Sequence, residues 1–298
     1  MDADDGTFDA AGGPASGPAA SAVPDDALDQ VLSVLRDAGE RAILPRWQSL
    51  VGGDVRSKAT RDDPDDVVTV ADLEAEQIIT AGLLDLAPSV PVIGEEAVAA
   101  DPGLLAGTGE LAAYWLVDPV DGTRNFVEGS PDFGVMVALV EGGLVTASWI
   151  WLPVRDVVAT ARRGQGTWLD GRRVDALAGE VRATGELRGW VARTFLPADV
   201  AALIRPEGEA MLDQRPPRSA AVGYVGLLEG TSDVALFWRT HPWDHAPGSL
   251  LAEEAGGAVR RLDATAYRPG QTGSGLLVTR DARTWDAARA ATFGGASV

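Results

Sequence analysis

The sequence predicts an α+β fold, on three observations. Two segments of helical period come first, a run of apolar strand segments broken by glycine turns follows, and from about Leu187 strands and helices alternate. With 298 residues, 46% of them hydrophobic, the chain can bury one large core or two smaller ones.

Residues 1–25, MDADDGTFDAAGGPASGPAASAVPD, are rich in Ala, Gly, Pro and Asp and lack the basic start and apolar stretch of a signal peptide. They are expected to form a disordered acidic tail. Residues 26–298 are expected to form a single domain, with an α+β half at about 26–180 and an α/β half at about 181–298. From Asp26 to about Val51, Leu28, Val31, Leu32, Leu35, Ala38 and Ala42 recur at helical spacing, predicting an amphipathic helix that ends near Pro45. Gly52 to Asp66 is polar and charged, which suits a mobile loop or a short hairpin. A second helix starts at Ala71 and is stopped by Pro88.

VPVIG before Glu95 and AAYWLV before Asp118 read as strands. Residues 134–153 read as a hairpin turning at Gly142-Gly143, and residues 156–171 as another. Beyond Leu187 come the strand-like GWVART, a helix around Asp199 to Ile204, the apolar stretch from Ser219 to Trp238, a helix from Asp244 to Ala255, and closing strands at GAVRRL and GLLVTR. Trp115, Trp149 and Trp151 fall in strands and are expected in a core or interface. There is no internal repeat.

Composition removes several function classes. Lys plus Arg number 25 against 44 Asp plus Glu, a formal net charge of -19, which argues against sequence-independent binding to nucleic acid or anionic lipid. The absence of Cys excludes disulfides, thiolate catalysis and zinc-thiolate sites, and is compatible with the cytoplasm. No apolar run approaches the roughly 18–20 residues that cross a bilayer, so no membrane span is expected.

The sharpest chemical feature is the segment from Tyr114 to Phe126, YWLVDPVDGTRNF, in which an apolar strand delivers Asp118 and Asp121 into an expected tight turn. Pro119 fixes φ at the second turn position and Gly122 permits either sign, so the two carboxylates should converge. Two such groups cannot both stay ionised and close without a cation between them, and hard divalent ions, Mg²⁺ above all, fit oxygen donors. Gly122 and Thr123 are expected to open a short helix whose free N–H groups face an anion. The bland alternative is a solvated Asp-rich turn. An EF-hand loop is excluded by its ligand pattern. The D-x-D-G-T turn of haloacid-dehalogenase-type phosphatases is excluded because the aspartates here are three apart rather than two.

A second constellation is HPWDHAPGSLLAEEAGG, residues 241–257. Asp244 sits where an N-cap belongs, and Pro247 in the first turn removes an N–H that the cap would satisfy, freeing an Asp244 oxygen for a metal. The alternative is an ordinary capped helix. Glu95 and Glu96 follow a short strand, and Asp72 opens a helix; each is unremarkable alone. His241 and His245 flank the same helix and read as structural or solvated, and Trp243 beside Asp244 reads as a residue that orients it.

Together, G-E-E, D-P-x-D-G-T-x-N-F and W-D-x-A-x-G closed by E-A-G-G resemble the inositol monophosphatase family over about residues 26–290. The resemblance implies a layered αβαβα sandwich of the inositol monophosphatase/fructose-1,6-bisphosphatase type and a Mg²⁺-dependent phosphatase acting on a small phosphate monoester. It implies two to three Mg²⁺ ions on Glu95, Asp118, the Val120 carbonyl, Asp121 and Asp244, with Asp118 bridging two. Asp121, Gly122, Thr123, Ala220, Phe237 and Asp244 would contact the substrate. Glu95 and Thr123, the latter paired with Asp72, would position and deprotonate a metal-activated water for in-line attack. A homodimer and sensitivity to Li⁺ also follow from the resemblance, and the cytoplasm is the compartment expected by default.

Two positions depart from the family. Arg61 aligns with a Lys of the metal loop, and Phe237, seven residues before Asp244, replaces the Glu with which inositol-specific members bind polyol hydroxyls. An aromatic ring cannot accept those hydrogen bonds. Histidinol phosphate, a nucleotide 3′-phosphate or fructose 1,6-bisphosphate are the alternatives within the same chemistry. From a different class, a catalytically silent metal-binding regulator would have no use for the complete set Asp72, Glu95, Asp118, Asp121, Thr123 and Asp244.

Overall fold

The computed structural model describes residues 23–24, 27–59, 67–176, 180–271, 273, 275–296 and 298. Helix α1 (Ala27–Ala38) buries Ala27, Val31, Leu35 and Ala38, a stripe at spacings of three and four that faces inward. After a hairpin of β1 (Val55–Ser57) and β2 (Val67–Thr69), helix α2 (Val70–Leu86) starts at a Thr69 cap. α1 and α2 form the first layer, with Gly82 admitting the Val34 side chain between them.

The second layer is a seven-stranded sheet of β3 (Val92–Gly94), β4 (Ala113–Asp121), β5 (Gly134–Glu141), β6 (Leu144–Leu152), β7 (Val157–Arg162), β8 (Gly166–Leu169) and β9 (Arg172–Val174) in sequence order. β3 joins β4 in parallel and every later pair is antiparallel. Alternation along β4 to β6 divides the side chains between two cores. Trp115, Val117, Val135, Val137, Trp149 and Trp151 face α1 and α2, whereas Leu116, Met136, Ile150 and Leu152 face the other side. Each fully buried aliphatic side chain among them contributes about 1.5–3 kcal/mol.

Short helices α3 (Glu95–Ala100), α4 (Gly103–Ala106) and α5 (Thr123–Val127) follow β3 and β4. After β10 (Gly189–Val191) come α6 (Ala198–Ala201) and α7 (Pro206–Met211). Helices α8 (Ala220–Glu229) and α9 (Pro242–Glu254) form the third layer. The fourth is a four-stranded sheet in the order β10, β11 (Val234–Phe237), β13 (Leu276–Thr279), β12 (Ala258–Arg261). Ala235, Phe237, Leu276 and Val278 join the core around α8 and α9, while Val234, Leu236 and Leu277 pack with Met211 of α7 and Trp285 and Ala288 of α10 (Trp285–Phe293). The result is the αβαβα stack, its middle helices buried along most of their length because sheets cover both faces.

Several boundaries differ from the sequence reading. The first helix leaves regular α geometry at Ala38 and runs through a π-turn over Gly39–Ile43, where a Cβ at Gly39 would overlap the Trp151 ring. The helix expected around Asp199 to Ile204 is the shorter α6, which ends at Ala201, and α7 follows it as a separate helix. β9 and α10 are additional. Residues 1–22 and Arg61 lie outside the described residues. Val23 and Pro24, assigned to the tail, are part of the packing: Val23 is buried and the Pro24 carbonyl accepts from Arg162 Nη2 at 3.0 Å.

Candidate active site

The apolar strand β4 runs on through Asp121, so the expected tight turn is instead a bulge. Asp118 pairs with Met136 and Asp121 with Gly134, which sets three residue steps against two and brings both carboxylates to one end of the sheet. Both are buried. Gly122 then takes φ +85°, a left-handed value that suits glycine, and a Cβ there would press on Ser219 and on the Asp132 carbonyl. This bend starts α5 at Thr123.

Asp121 is bound across the molecule to the start of α8. It accepts from the Ser219 hydroxyl, from Ala220 N at 3.1 Å and from Ala221 N at 2.8 Å. Ala220, one of the residues expected at the substrate, gives its amide to Asp121. Thr123 Oγ1 lies 3.1 Å from both Asp72 Oδ1 and the Val120 carbonyl. Asp72 itself is anchored in the first turn of α2, where it accepts from Thr69 N at 2.8 Å and from the Thr69 hydroxyl. Burial pushes Asp72 up to about 6, against the pull of the Thr69 hydrogen bonds.

Glu95 and Glu96 form the first turn of α3, and Lys58 Nζ sits 2.8 Å from each. Burial works to lower the pKa of the Lys58 ammonium, but the two carboxylates outweigh it and hold it raised. Burial, then the Glu95 charge, pushes Glu96 up to about 8 against Lys58. In the sequence Arg61 aligns with the loop Lys of the family, whereas the side chain that reaches Glu95 and Glu96 is that of Lys58.

Asp244 lies in the first turn of α9 but is not its N-cap; that position belongs to His241, with Pro242 as the first helical residue. Pro247 is inside the helix rather than in its first turn, so the carbonyl it deprives of an N–H partner is that of Trp243. Next to Asp244 on α9, His245 joins a cluster of buried rings. Phe237 is 6% exposed, edge-on to Trp190 and His245 at centroid separations of 4.9 and 4.6 Å and stacked on Tyr224 at 5.4 Å. His245 Nε2 donates to the Arg239 carbonyl at 3.0 Å, so Nδ1 accepts from the Tyr224 hydroxyl at 3.1 Å. Burial lowers His245 to about 3, which keeps it neutral and structural. The Arg239 guanidinium stacks 3.8 Å over the Phe195 ring.

Four carboxylates from three elements therefore act on one another. Burial, then Glu95, Asp121 and Asp244, drives Asp118 well above the ordinary carboxylate range; burial, then Asp121 and Glu95, does the same to Asp244. Burial pushes Asp121 up to about 6 although Ser219 and two amides pull it down. Lys58 and Arg239 oppose this excess. Such hard-oxygen donors, short of positive charge, fit a divalent ion such as Mg²⁺. Among the described residues no three His, Asp or Glu side chains are already gathered onto one point, and Glu95 is held by Lys58.

Glu76, Lys58 and Ser219 are the neighbours the sequence reading missed. Glu76 carried a signal, since it lies one helical turn beyond Asp72 on the same face of α2, and Ser219 precedes a helix in the manner of an N-cap.

Oxygen donors suited to a hard cation, facing the glycine-started helix beyond β4, point to the phosphatases as a class. Sequence comparison makes the assignment particular: residues 27–294 match the inositol monophosphatase family, and the chain belongs to it. It is accordingly a hydrolase of phosphate monoesters, and magnesium dependence is general in the family. Among relatives, the Nus factor SuhB of Pseudomonas aeruginosa is 34% identical over 247 residues, 78% of this chain and 84% of that one. The 3′(2′),5′-bisphosphate nucleotidase CysQ of Escherichia coli K12 is 31% identical over 78% of this chain and 89% of its own. The fructose-1,6-bisphosphatase/inositol-1-monophosphatase of Thermotoga maritima is 29% identical over 78% and 84%. The structure of the extragenic suppressor protein suhB from Bartonella henselae superposes with a TM-score of 0.71 at 25% identity, covering 90% of this chain and 98% of that one.

Proposed function

We propose that this chain hydrolyses a small phosphate monoester at the cleft between β4, α3 and α9, with two to three Mg²⁺ ions on Glu95, Asp118, the Val120 carbonyl, Asp121 and Asp244. The observation that carries the reading is the mutual repulsion of these carboxylates, with Thr123 and Asp72 hydrogen-bonded beside them. Bound magnesium supplies Lewis-acid polarisation of the phosphate and a more acidic water. The residues do the rest. The Gly122 and Thr123 amides at the start of α5 receive phosphate oxygens. Thr123 Oγ1 takes the proton of the attacking water while giving its own to Asp72 Oδ1, and Glu95 orients that water from the other side. Asp72, pushed up to about 6, can hold a proton transiently near neutral pH. The products are the free alcohol and inorganic phosphate.

The leaving group lies toward Phe237 and Arg239. An inositol monophosphatase-like activity is the primary reading. The position of Arg239, whose stacking on Phe195 fixes its guanidinium and whose charge acts on Asp244, favours a second: a substrate with another anionic group, such as a bisphosphorylated nucleotide, as the CysQ relative's name describes. Histidinol phosphate, an amine, would sit less well beside that cation. Phosphate release from inositol 1-phosphate, fructose 1,6-bisphosphate, histidinol phosphate and adenosine 3′,5′-bisphosphate, with and without Mg²⁺, tests the proposal. Turnover of none of them would sink it. A homodimer in the cytoplasm is proposed from the family; among the described residues no helix is long and apolar enough to cross a membrane.

A further inference from the structure

Glu95 stands on the first turn of a helix that has no cap of its own. Gly94 holds the N-cap position of α3 and, lacking a side chain, makes no cap hydrogen bond. The first-turn amides of α3 are satisfied from another helix. Glu76, on α2, accepts from Glu96 N through Oε2 and from Ala97 N through Oε1, both at 2.8 Å. The carboxylate is buried, and burial raises its pKa although both amides pull it down. The fit leaves no slack: a Cβ at Gly94 would overlap the Glu76 carboxyl group. Two residues whose combination has no local meaning in the sequence thus form one joint between α2 and α3.

We propose that Glu76 is the positioning residue of the metal site, a cap supplied from α2 that fixes the first turn of α3 and with it the direction of the Glu95 carboxylate. The same α2 carries Asp72 one turn earlier, so one helix sets both halves of the water-handling apparatus: Asp72 holds Thr123, and Glu76 holds the backbone beneath Glu95. A negative charge at a helix N-terminus is favoured by the macrodipole, and a bidentate acceptor resists rotation of the first turn. The positive end of a six-residue helix is thereby neutralised by a group that does not compete for the cation. Glu95 is left to Lys58 or to metal.

This inference rests on the proposed metal role of Glu95, so the test carries a control for it. Mg²⁺ binding is titrated by calorimetry on the full-length wild type, Glu76→Gln, Gly94→Ala and Glu95→Gln, with melting temperatures measured in EDTA. Glu76→Gln keeps the shape and one acceptor but turns an NH₂ toward the second amide. It should weaken Mg²⁺ binding about 10–100-fold, the usual cost of losing a group that orients a metal ligand, while the EDTA melting temperature stays within a few degrees. Gly94→Ala, which displaces the same carboxylate from the other side, should shift Mg²⁺ affinity in the same direction. Phosphate-release kinetics on the same variants should show the Mg²⁺ requirement raised and the substrate KM at saturating Mg²⁺ little changed. Unchanged Mg²⁺ affinity in both Glu76→Gln and Gly94→Ala, with Glu95→Gln impaired, overturns the positioning role alone. Unchanged affinity in Glu95→Gln overturns the metal reading beneath it. A lower melting temperature with unaltered Mg²⁺ binding reduces Glu76 to a structural cap and also refutes the proposal.

Discussion

Replacing Asp121 with Asn should remove catalysis while leaving the metal-free fold nearly as stable as before, and the two halves of that expectation come from opposite effects. The carboxylate accepts from Ser219, Ala220 and Ala221 and so closes the first turn of α8. Asn keeps one acceptor and turns an amide toward donors, which costs about 1–3 kcal/mol for one buried donor left facing another. Against this, burial and, after it, the Glu95 charge push Asp121 up to about 6 from an ordinary 3.8, even with the hydrogen bonds from Ser219, Ala220 and Ala221 pulling it down. At pH 8 the wild type therefore ionises this group at a penalty on the order of 3 kcal/mol, which a neutral isostere escapes. The two nearly cancel, so the melting temperature in EDTA at pH 8 should move by less than about 5 °C. With Mg²⁺ the balance is lost, because Asn cannot supply the anionic ligand. Several kcal/mol of transition-state stabilisation correspond to a fall in kcat of about a thousandfold or more. The assay is phosphate release with Mg²⁺, run beside calorimetric melts in EDTA and in Mg²⁺. A kcat within tenfold of wild type would refute the role given to Asp121, and a collapse of the EDTA melt would show that its cap on α8 outweighs the relief of charge.

Thr123→Val keeps the volume of the side chain but removes the hydroxyl between Asp72 and Val120; it should lower kcat about 10²–10⁴-fold with Mg²⁺ affinity little changed, and loss of Mg²⁺ binding instead would count against a proton-handling role. Asp72 has a folded-state pKa of about 6 against 3.8 unfolded, so its contribution to metal-free stability is full below 3.8 and is lost as pH rises through 6. In EDTA, Asp72→Asn should therefore gain on the wild type by roughly 5 °C between pH 5 and pH 8; a difference that stays constant or shrinks over that range would contradict the buried, raised carboxylate. Gly39→Ala places a methyl group against the Trp151 ring in the π-turn and should cost about 1–3 kcal/mol of stability with kcat at 25 °C retained; an unchanged melting temperature would mean the first layer yields there.

Much of the carboxylate side of the candidate site is legible in the sequence because each of its residues is tied to a local pattern. Asp118 and Asp121 end an apolar strand, Gly122 must bend, and Asp244 falls at the start of a helix that stops before Gly256-Gly257. The strands β4 to β6 are legible because both of their faces are buried, in two cores, which leaves runs of consecutive apolar residues between turn signals. What is not legible is whatever depends on two distant segments meeting. α8 and α9 lie between two sheets and so show no polar stripe, which hides the start of α9 and put its cap at Asp244 rather than His241. The bulge between Asp118 and Asp121 is fixed by their partners Met136 and Gly134 on β5, not by Pro119 alone. Lys58 gains meaning only when α3 is brought beneath it.

Phe237 shows where the sequence pattern and the packing speak to different questions. In the sequence it is a missing carboxylate, seven residues before Asp244. In the fold it is the centre of a ring cluster with Trp190, Tyr224 and His245 that ties the second sheet to α8 and α9. A Glu placed there would bury a charge against three rings, so this wall cannot simply be exchanged for a polyol-binding one. His245 is neutral for the same reason, held by Tyr224 and by the Arg239 carbonyl. The cluster thus fixes the backbone of Arg239 while Phe195 fixes its guanidinium. With the leaving group placed as proposed, one oriented cation beside this ring cluster would set specificity on that side, and hydroxyl recognition would fall to the carboxylates and amides on the other.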